Sequence, residues 1–361
     1  MIIYLIIGEN KSGSAAINRC NLFIKGINEK NSDKAKLKIF KNRNYSLKGF
    51  SILYKLLILV CVHFYILFNR SSTFIFYGEF SNLYFIKLLK SRKSKWISER
   101  NEFPSHIISS SISTLSYKRS VRYDLFMSNF DALITCSEAL RIYYSKFISP
   151  NSPIFILPAI VNTDLFYTKG EYNKTKVRYI TYCGDWGNNK DGVPDLIRAF
   201  NVFSKNHIDF KLQLIGSTSN LKDYNEIKSL ILKFNLGSKV ELVGRVSHSS
   251  VPNFYQYADI LVLCRPSNKQ AEGGFPSKVV EYLASGKPVL VTDVGELSNY
   301  FVDNLNIFYS KANYHHFSQR LSEIVQDWDN SLSVGNKGRE VSQIFSYQRV
   351  SDKFLQLIKT L

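Results

Sequence analysis

The sequence predicts an α/β chain of two doubly wound domains, each a parallel sheet covered by helices. Three observations lead there. Short apolar runs alternate with helical patterns along the whole chain, as parallel βαβ units require. The 361 residues suffice for two domains with sizeable cores. Residues 161–177 are polar and without periodicity, which marks them as the linker.

In the first half, strands are expected at residues 2–7, 37–40, 74–77, 95–98, 132–135 and 154–157. The opening run IIYLII is apolar throughout, the pattern of a strand buried on both faces. Helices are expected at 15–28, 50–68, 82–90 and 137–147, the last opening on Ser137 and Glu138 directly after a strand. In the second half, strands are expected at 179–182, 211–215, 240–243, 260–263, 289–292 and 306–309. Helices follow at 195–206, 224–234, 249–257, 277–285, 316–327 and 346–360. The division is therefore 1–165, 166–345 and a final helix from 346 to 361. No internal repeat or low-complexity tract is visible.

Composition narrows the class. Hydrophobic residues make up 45% and charged residues 21%, which excludes a disordered chain. The five cysteines, at 20, 61, 136, 183 and 264, have no paired spacing, so free thiols in a reducing compartment are expected. No CxxC or histidine cluster suggests a metal, and no cofactor is expected. The formal charge of +18 is concentrated at the front: residues 1–168 hold 23 Lys/Arg against 10 Asp/Glu. Such an excess suits an anionic partner, a membrane surface or nucleic acid. No helix-turn-helix, RNP or zinc pattern supports nucleic acid. The start MIIYLIIGE lacks the features of a secretory signal, so a cytoplasmic location is expected. Residues 52–68 form the longest apolar run, 17 residues containing Lys55 and His63. That is short for a membrane span, so a buried helix is favoured, with a membrane-surface helix left open.

Glu272 to Leu290 (EGGFPSKVVEYLASGKPVL) is the most informative segment. Gly273, Gly274 and Pro276 form a loop, and a helix should open near Ser277. Gly286 and Pro288 end that helix, and PVLVT reads as a buried strand. Free N–H groups and the positive helix end make such a loop a seat for an anion. Lys278 and Glu281, three apart, can share one helix face.

A second segment, residues 182–200 (YCGDWGNNKDGVPDLIRAF), runs from a strand through a loop into a helix. Lys190 stands in that loop, able to neutralise a diphosphate as a point charge. Two further segments follow strands: residues 8–19, with Gly13–Ser14 before a small-residue helix, and residues 98–104 (SERNEFP). In the latter Glu99, Arg100 and Glu102 crowd a strand end, where charges are costly unless used. The glycine loop has neither the Walker spacing nor the full dinucleotide fingerprint.

The segment GFPSKVVEYLASGKPV resembles the donor-binding signature of retaining glycosyltransferases of family 4, especially those of polysaccharide assembly. In that family a glutamate, seven residues and a second glutamate span the loop and helix. Glu281 matches the second. Counting back reaches Gly273, whereas the acid is Glu272, so either Glu272 or the backbone of Gly273 to Phe275 takes the first role. Lys190, Asp191, Gly192 and the helix Leu196–Phe200 are similar to the family's phosphate loop, but Asp185 stands where its arginine would be. Another cation must then substitute, with Arg245 and Arg265 as candidates.

The resemblance implies a GT-B fold, two Rossmann-like domains facing each other across a cleft, with the last helix crossing back to the first domain. It implies sugar transfer from a UDP- or GDP-linked donor to a glycan or lipid-linked acceptor, with retention and without a metal. Lys190 and an arginine would neutralise the diphosphate and Glu281 would grip the ribose. Residues 272–275, with Ser277 and Lys278, would hold the rest of the donor. The Gly13 loop would lie by the diphosphate, and Glu102 would be the acceptor-side acid. A GT-B-shaped epimerase or a non-catalytic basic binding protein are the alternatives; a phosphorylase would need a much longer chain and a pyridoxal lysine.

Overall fold

A computed structural model describes residues 1–8, 15–30, 34–41, 48–77, 90–108, 113–167 and 177–361. The glycine loop with Gly13, residues 82–89 of the helix expected at 82–90 and residues 168–176 of the linker lie outside the described residues. The chain divides into two units, Met1–Ile160 with Tyr347–Leu361, and Val161–Ser346.

The first unit holds strands β1 (Ile2–Gly8), β2 (Ala35–Lys41), β3 (Thr73–Tyr77), β4 (Lys95–Arg100), β5 (Ala132–Thr135) and β6 (Ile154–Ile156). They form one parallel sheet in the order β2-β1-β3-β4-β5-β6. Ile3, Leu5, Ile75 and Ile97 are fully buried, as central strands covered on both faces must be. Strand β2 lies at the edge and turns Lys36 and Lys38 to solvent, which discourages pairing with another chain.

Helix Ala15–Lys30 buries Ile17, Cys20, Phe23 and Ile27, spaced to form one face. Helix Tyr347–Ile358 lies on it. Phe23 and Phe354 meet edge to face at 5.4 Å, and Tyr347 donates to Glu29 at 2.8 Å. A Cβ on Gly26 would lie 2.3 Å from Ser351 Oγ and 2.7 Å from the Tyr347 carbonyl, so only glycine admits this approach.

Helix Lys48–Phe68 buries Ile58, Val62 and Ile66 and leaves Leu56, Leu57, Val60, Phe64 and Phe68 exposed. Among the described residues no helix is long and apolar enough to cross a membrane.

The second unit holds β7 (Arg178–Asp185), β8 (Phe210–Ser217), β9 (Val240–Gly244), β10 (Ile260–Leu263), β11 (Val289–Thr292) and β12 (Phe308–Ser310). The parallel order β12-β11-β10-β7-β8-β9 is that of a dinucleotide-binding sheet. Its direction of winding reverses between β7 and β10. Ligands of such sheets bind outside the carboxyl ends of the strands at that reversal.

Candidate functional site

The carboxyl ends of β7 and β10 carry a buried ionic cluster. Asp191 closes the short helical turn Asn188–Asp191 that follows β7. Its side chain is wholly buried. One carboxylate oxygen accepts from Arg265 at 3.0 Å, and the other accepts from Lys278 and lies 2.7 Å from the Tyr182 hydroxyl. Burial alone would raise the Asp191 pKa. Lys278 and Arg265 overcome that, and with their hydrogen bonds hold the carboxyl far below the usual range. Arg265 follows β10, and Lys278 comes from helix Ser277–Ala284, so three chain segments converge here.

Local geometry explains the convergence. Gly192, next to Asp191, has φ of +67°, and a Cβ there would lie 1.9 Å from the Cys264 carbonyl. Glycine thus lets the turn press against the end of β10, beside Arg265. The carbonyl of Arg265 accepts from Thr292 at the end of β11, at 2.7 Å. Helix Ser277–Ala284 is latched by Tyr282, whose hydroxyl accepts from the Cys183 N–H at 2.9 Å. Lys278 lies one turn before Tyr282 on the same face and so reaches Asp191. Gly184 leaves the room: a Cβ there would sit 2.0 Å from Lys278 Nζ.

Two cations against one carboxylate leave the cluster with one positive charge in excess. Arg265 keeps Nε buried without a hydrogen-bond partner. Preorganised N–H donors and a net positive charge are suited to an anion.

Glu281, three residues after Lys278, is partly buried, with Tyr255 donating to it at 3.5 Å. Burial raises its pKa; His248, Lys278 and the Tyr255 bond work in the opposite direction. The loop between the helices is shorter than the sequence suggests. Lys269–Gly273 forms a helical turn, capped by Asn268 on the Ala271 N–H at 2.9 Å. Glu272 is exposed on that turn and paired with Lys269 at 2.7 Å. Gly273 is buried, Gly274 is extended, Phe275 packs on Tyr300 and Phe345, and Ser277 is exposed at the helix start.

The other expected residues are dispersed. Lys190 is exposed at the end of its turn, and it is the neighbouring Asp191 that is buried. Asp185 is exposed and caps the Gly187 N–H at 2.8 Å. Arg245 is exposed and donates to Ser217 at 2.5 Å. In the first unit Glu102 is exposed, whereas Glu99 is buried on Arg19. Sequence reasoning gave no role to Asp191, Tyr182 or Tyr282. An acid placed directly before a helix-opening glycine was the available signal.

Residues 168–341 match the family model of glycosyl transferases group 1. These residues include the whole ionic cluster. The matches support a group 1 glycosyltransferase of GT-B type. An uncharacterised glycosyltransferase of Methanocaldococcus jannaschii is 28% identical over 256 residues, 65% of this chain and 67% of that protein. The lipopolysaccharide 1,2-N-acetylglucosaminetransferase of Salmonella typhimurium is 26% identical over 247 residues, 63% of this chain and 61% of its own length. Among solved structures, Anabaena HepE in complex with UDP superposes with a TM-score of 0.76 at 12% identity, covering 100% of both chains. At that identity the likeness concerns the fold. It agrees with the two parallel six-stranded sheets.

Proposed function

We propose that this group 1 glycosyltransferase moves a sugar from a UDP- or GDP-linked donor to a hydroxyl of a glycan or lipid-linked acceptor. We further propose family 4 chemistry: retention of anomeric configuration, no metal, and a place in cell-surface polysaccharide assembly. The observation that carries the donor reading is the Arg265–Lys278 pair on Asp191, at the strand reversal of a nucleotide-type sheet. Cleaving a sugar–phosphate bond requires stabilisation of the leaving diphosphate. The fixed cations Arg265 and Lys278 supply that stabilisation without reorganising.

Each residue then has a task. Arg265 and Lys278 face the diphosphate, with Lys190, Arg245 and Asp185 at its edge. Glu281 grips the ribose hydroxyls. Glu272 or the backbone of Gly273 to Phe275 holds the sugar. The Gly13 loop serves the diphosphate and the acceptor, and Glu102 serves the acceptor. The leaving phosphate itself assists the acceptor hydroxyl, so no carboxylate nucleophile is required. HepE's bound UDP and the Salmonella relative, a lipopolysaccharide 1,2-N-acetylglucosaminetransferase by name, support the choice of donor and acceptor class.

A peripheral membrane location at the inner face belongs to the same reading. The exposed apolar stripe Leu56, Leu57, Val60, Phe64 and Phe68 is flanked by exposed Lys36, Lys38 and Arg70. That combination suits an anionic lipid surface, on which lipid-linked acceptors lie. Flotation with anionic vesicles that weakens at high salt is expected; no vesicle binding at low salt would remove the membrane from the proposal.

Melting-temperature shifts with UDP-, GDP- and their sugar derivatives identify the donor. Proton NMR of the product linkage, with and without EDTA, tests the chemistry. A retained anomer and full activity in chelator are expected. An inverted anomer overturns the family 4 assignment, and strict metal dependence overturns the cationic clamp. Lys190→Ala is expected to weaken nucleoside diphosphate binding by about 1.5–3 kcal/mol while sparing the nucleoside. Unchanged affinity removes Lys190 from the site.

A further inference from the structure

We propose that Asp191 is the positioning residue of the diphosphate site: its buried carboxylate holds Arg265 on one oxygen and Lys278 on the other, setting the two cations side by side for the donor's phosphates. The inference rests on the donor reading above and goes beyond it, because it assigns the geometry of the clamp to an acid that itself touches no ligand.

Four observations carry it. Asp191 is fully buried, so its carboxylate binds other side chains, not solvent. Its partners come from two segments, 74 and 87 residues further along the chain. Tyr182 fixes the carboxylate from the strand below, at 2.7 Å. Arg265 retains a buried Nε with no partner beside this cluster, a donor left over after Asp191 has been served. Asp185 stands in the loop where a resembling phosphate loop carries arginine. The positive charge here comes from two other segments, and a buried anion brings them together. A long lysine and a long arginine free in a cleft would each lose side-chain entropy on meeting a phosphate. Held in advance by Asp191, they do not.

The test is isothermal titration of UDP, GDP, uridine and guanosine against wild type, Asp191→Asn, Lys278→Met and the double variant. Asp191→Asn keeps the shape and removes the charge. It is expected to weaken binding of the preferred nucleoside diphosphate by about tenfold or more, with less than about a twofold change for the nucleoside. In the Lys278→Met background the same substitution is expected to cost less than in wild type, since the part of its effect that passes through Lys278 is already lost. Tyr182→Phe, which keeps the carboxylate and loses its anchor, is expected to shift binding in the same direction by less. It serves as the reporter if Asp191→Asn does not fold. Equal losses for nucleoside and nucleoside diphosphate, additive double-variant effects, or tighter diphosphate binding in Asp191→Asn each overturn the proposal. Wild type that binds no nucleoside diphosphate defeats the donor reading instead, so the two failures are distinct.

Discussion

Replacing Arg265 by methionine isolates one arm of the ionic cluster. The Arg265 side chain is 8% exposed and its partner Asp191 0% exposed, so the substitution removes half of a desolvated ion pair. Breaking such a pair typically costs about 3–5 kcal/mol, because the partner charge is left buried. Two features of this site reduce the figure. Asp191 keeps Lys278 and Tyr182, which places the cost at the low end. The methionine also removes the unpartnered Nε of Arg265, returning about 1 kcal/mol. The net is about 2 kcal/mol, or a fall in melting temperature of about 4–8 °C for a unit of this length. Ligand binding should suffer more than stability. A lost charge-assisted contact of about 1.5–3 kcal/mol is roughly a tenfold to hundredfold loss of UDP affinity. Differential scanning calorimetry and titration calorimetry on the same preparation read both. A melting temperature unchanged or raised, with UDP affinity intact, would show that Arg265 is neither held by Asp191 nor used by the ligand. Arg265→Lys is expected to recover part of both, but not the two-pronged fit of a guanidinium.

Two further outcomes follow from other positions. Burial raises the Glu281 pKa, so its ionised form is a burden on the native state that is absent below the unfolded value near about 4.3 and grows as pH rises through the folded value. Glu281→Gln is therefore expected to melt above wild type at pH about 7.5 and level with it near pH about 4, while turnover falls at least about tenfold; full turnover would contradict the ribose assignment. Gly26→Val is expected to lower the melting temperature and expose the C-terminal helix to protease, because its Cβ would overlap Ser351 and Tyr347. Gly237→Ala is the control, since a Cβ there meets nothing within 4 Å; equal effects at the two glycines would refute the packing argument.

Every strand of both sheets was legible in the sequence, with ends adjusted by at most three residues. Parallel strands are buried on both faces, and continuous runs such as VLVT have no other economical reading. The helices that escaped notice are those whose buried face is not apolar. Thr114–Phe126 buries Ser120 and Asp124 beside Tyr123 and Phe126, with Ser120 bonded to His106 at 2.9 Å, so polar residues interrupt the hydrophobic period of its inward side. Trp328–Ser342 contains Gly335 and Gly338 and reads as a loop. The glycines are there because Cβ atoms would fall 2.6 Å from the Gly286 carbonyl and 2.5 Å from that of Asn306. Intrinsic helix preference was overruled by close packing.

The site was legible to a similar depth. Arg265, Lys278 and Glu281 could be named as candidates because their motifs are local. The cluster itself could not, since it depends on a left-handed Gly192, a latch from Tyr282 to Cys183 and two segments brought together only by the fold. Lys190 drew attention as a charge in a loop, whereas burial selected its neighbour.

The return of Tyr347–Leu361 to the first unit has a consequence for biosynthesis. The second unit is one unbroken stretch, Val161–Ser346, and every residue of it leaves the ribosome before the first unit has its last helix. The face of helix Ala15–Lys30 that includes Phe23 stays uncovered while some three hundred further residues are made, until Phe354 arrives. Domains are ordinarily completed in the order of their translation. Here the order is inverted, and the nascent chain carries an open apolar seam on helix Ala15–Lys30 until Phe354 has been made.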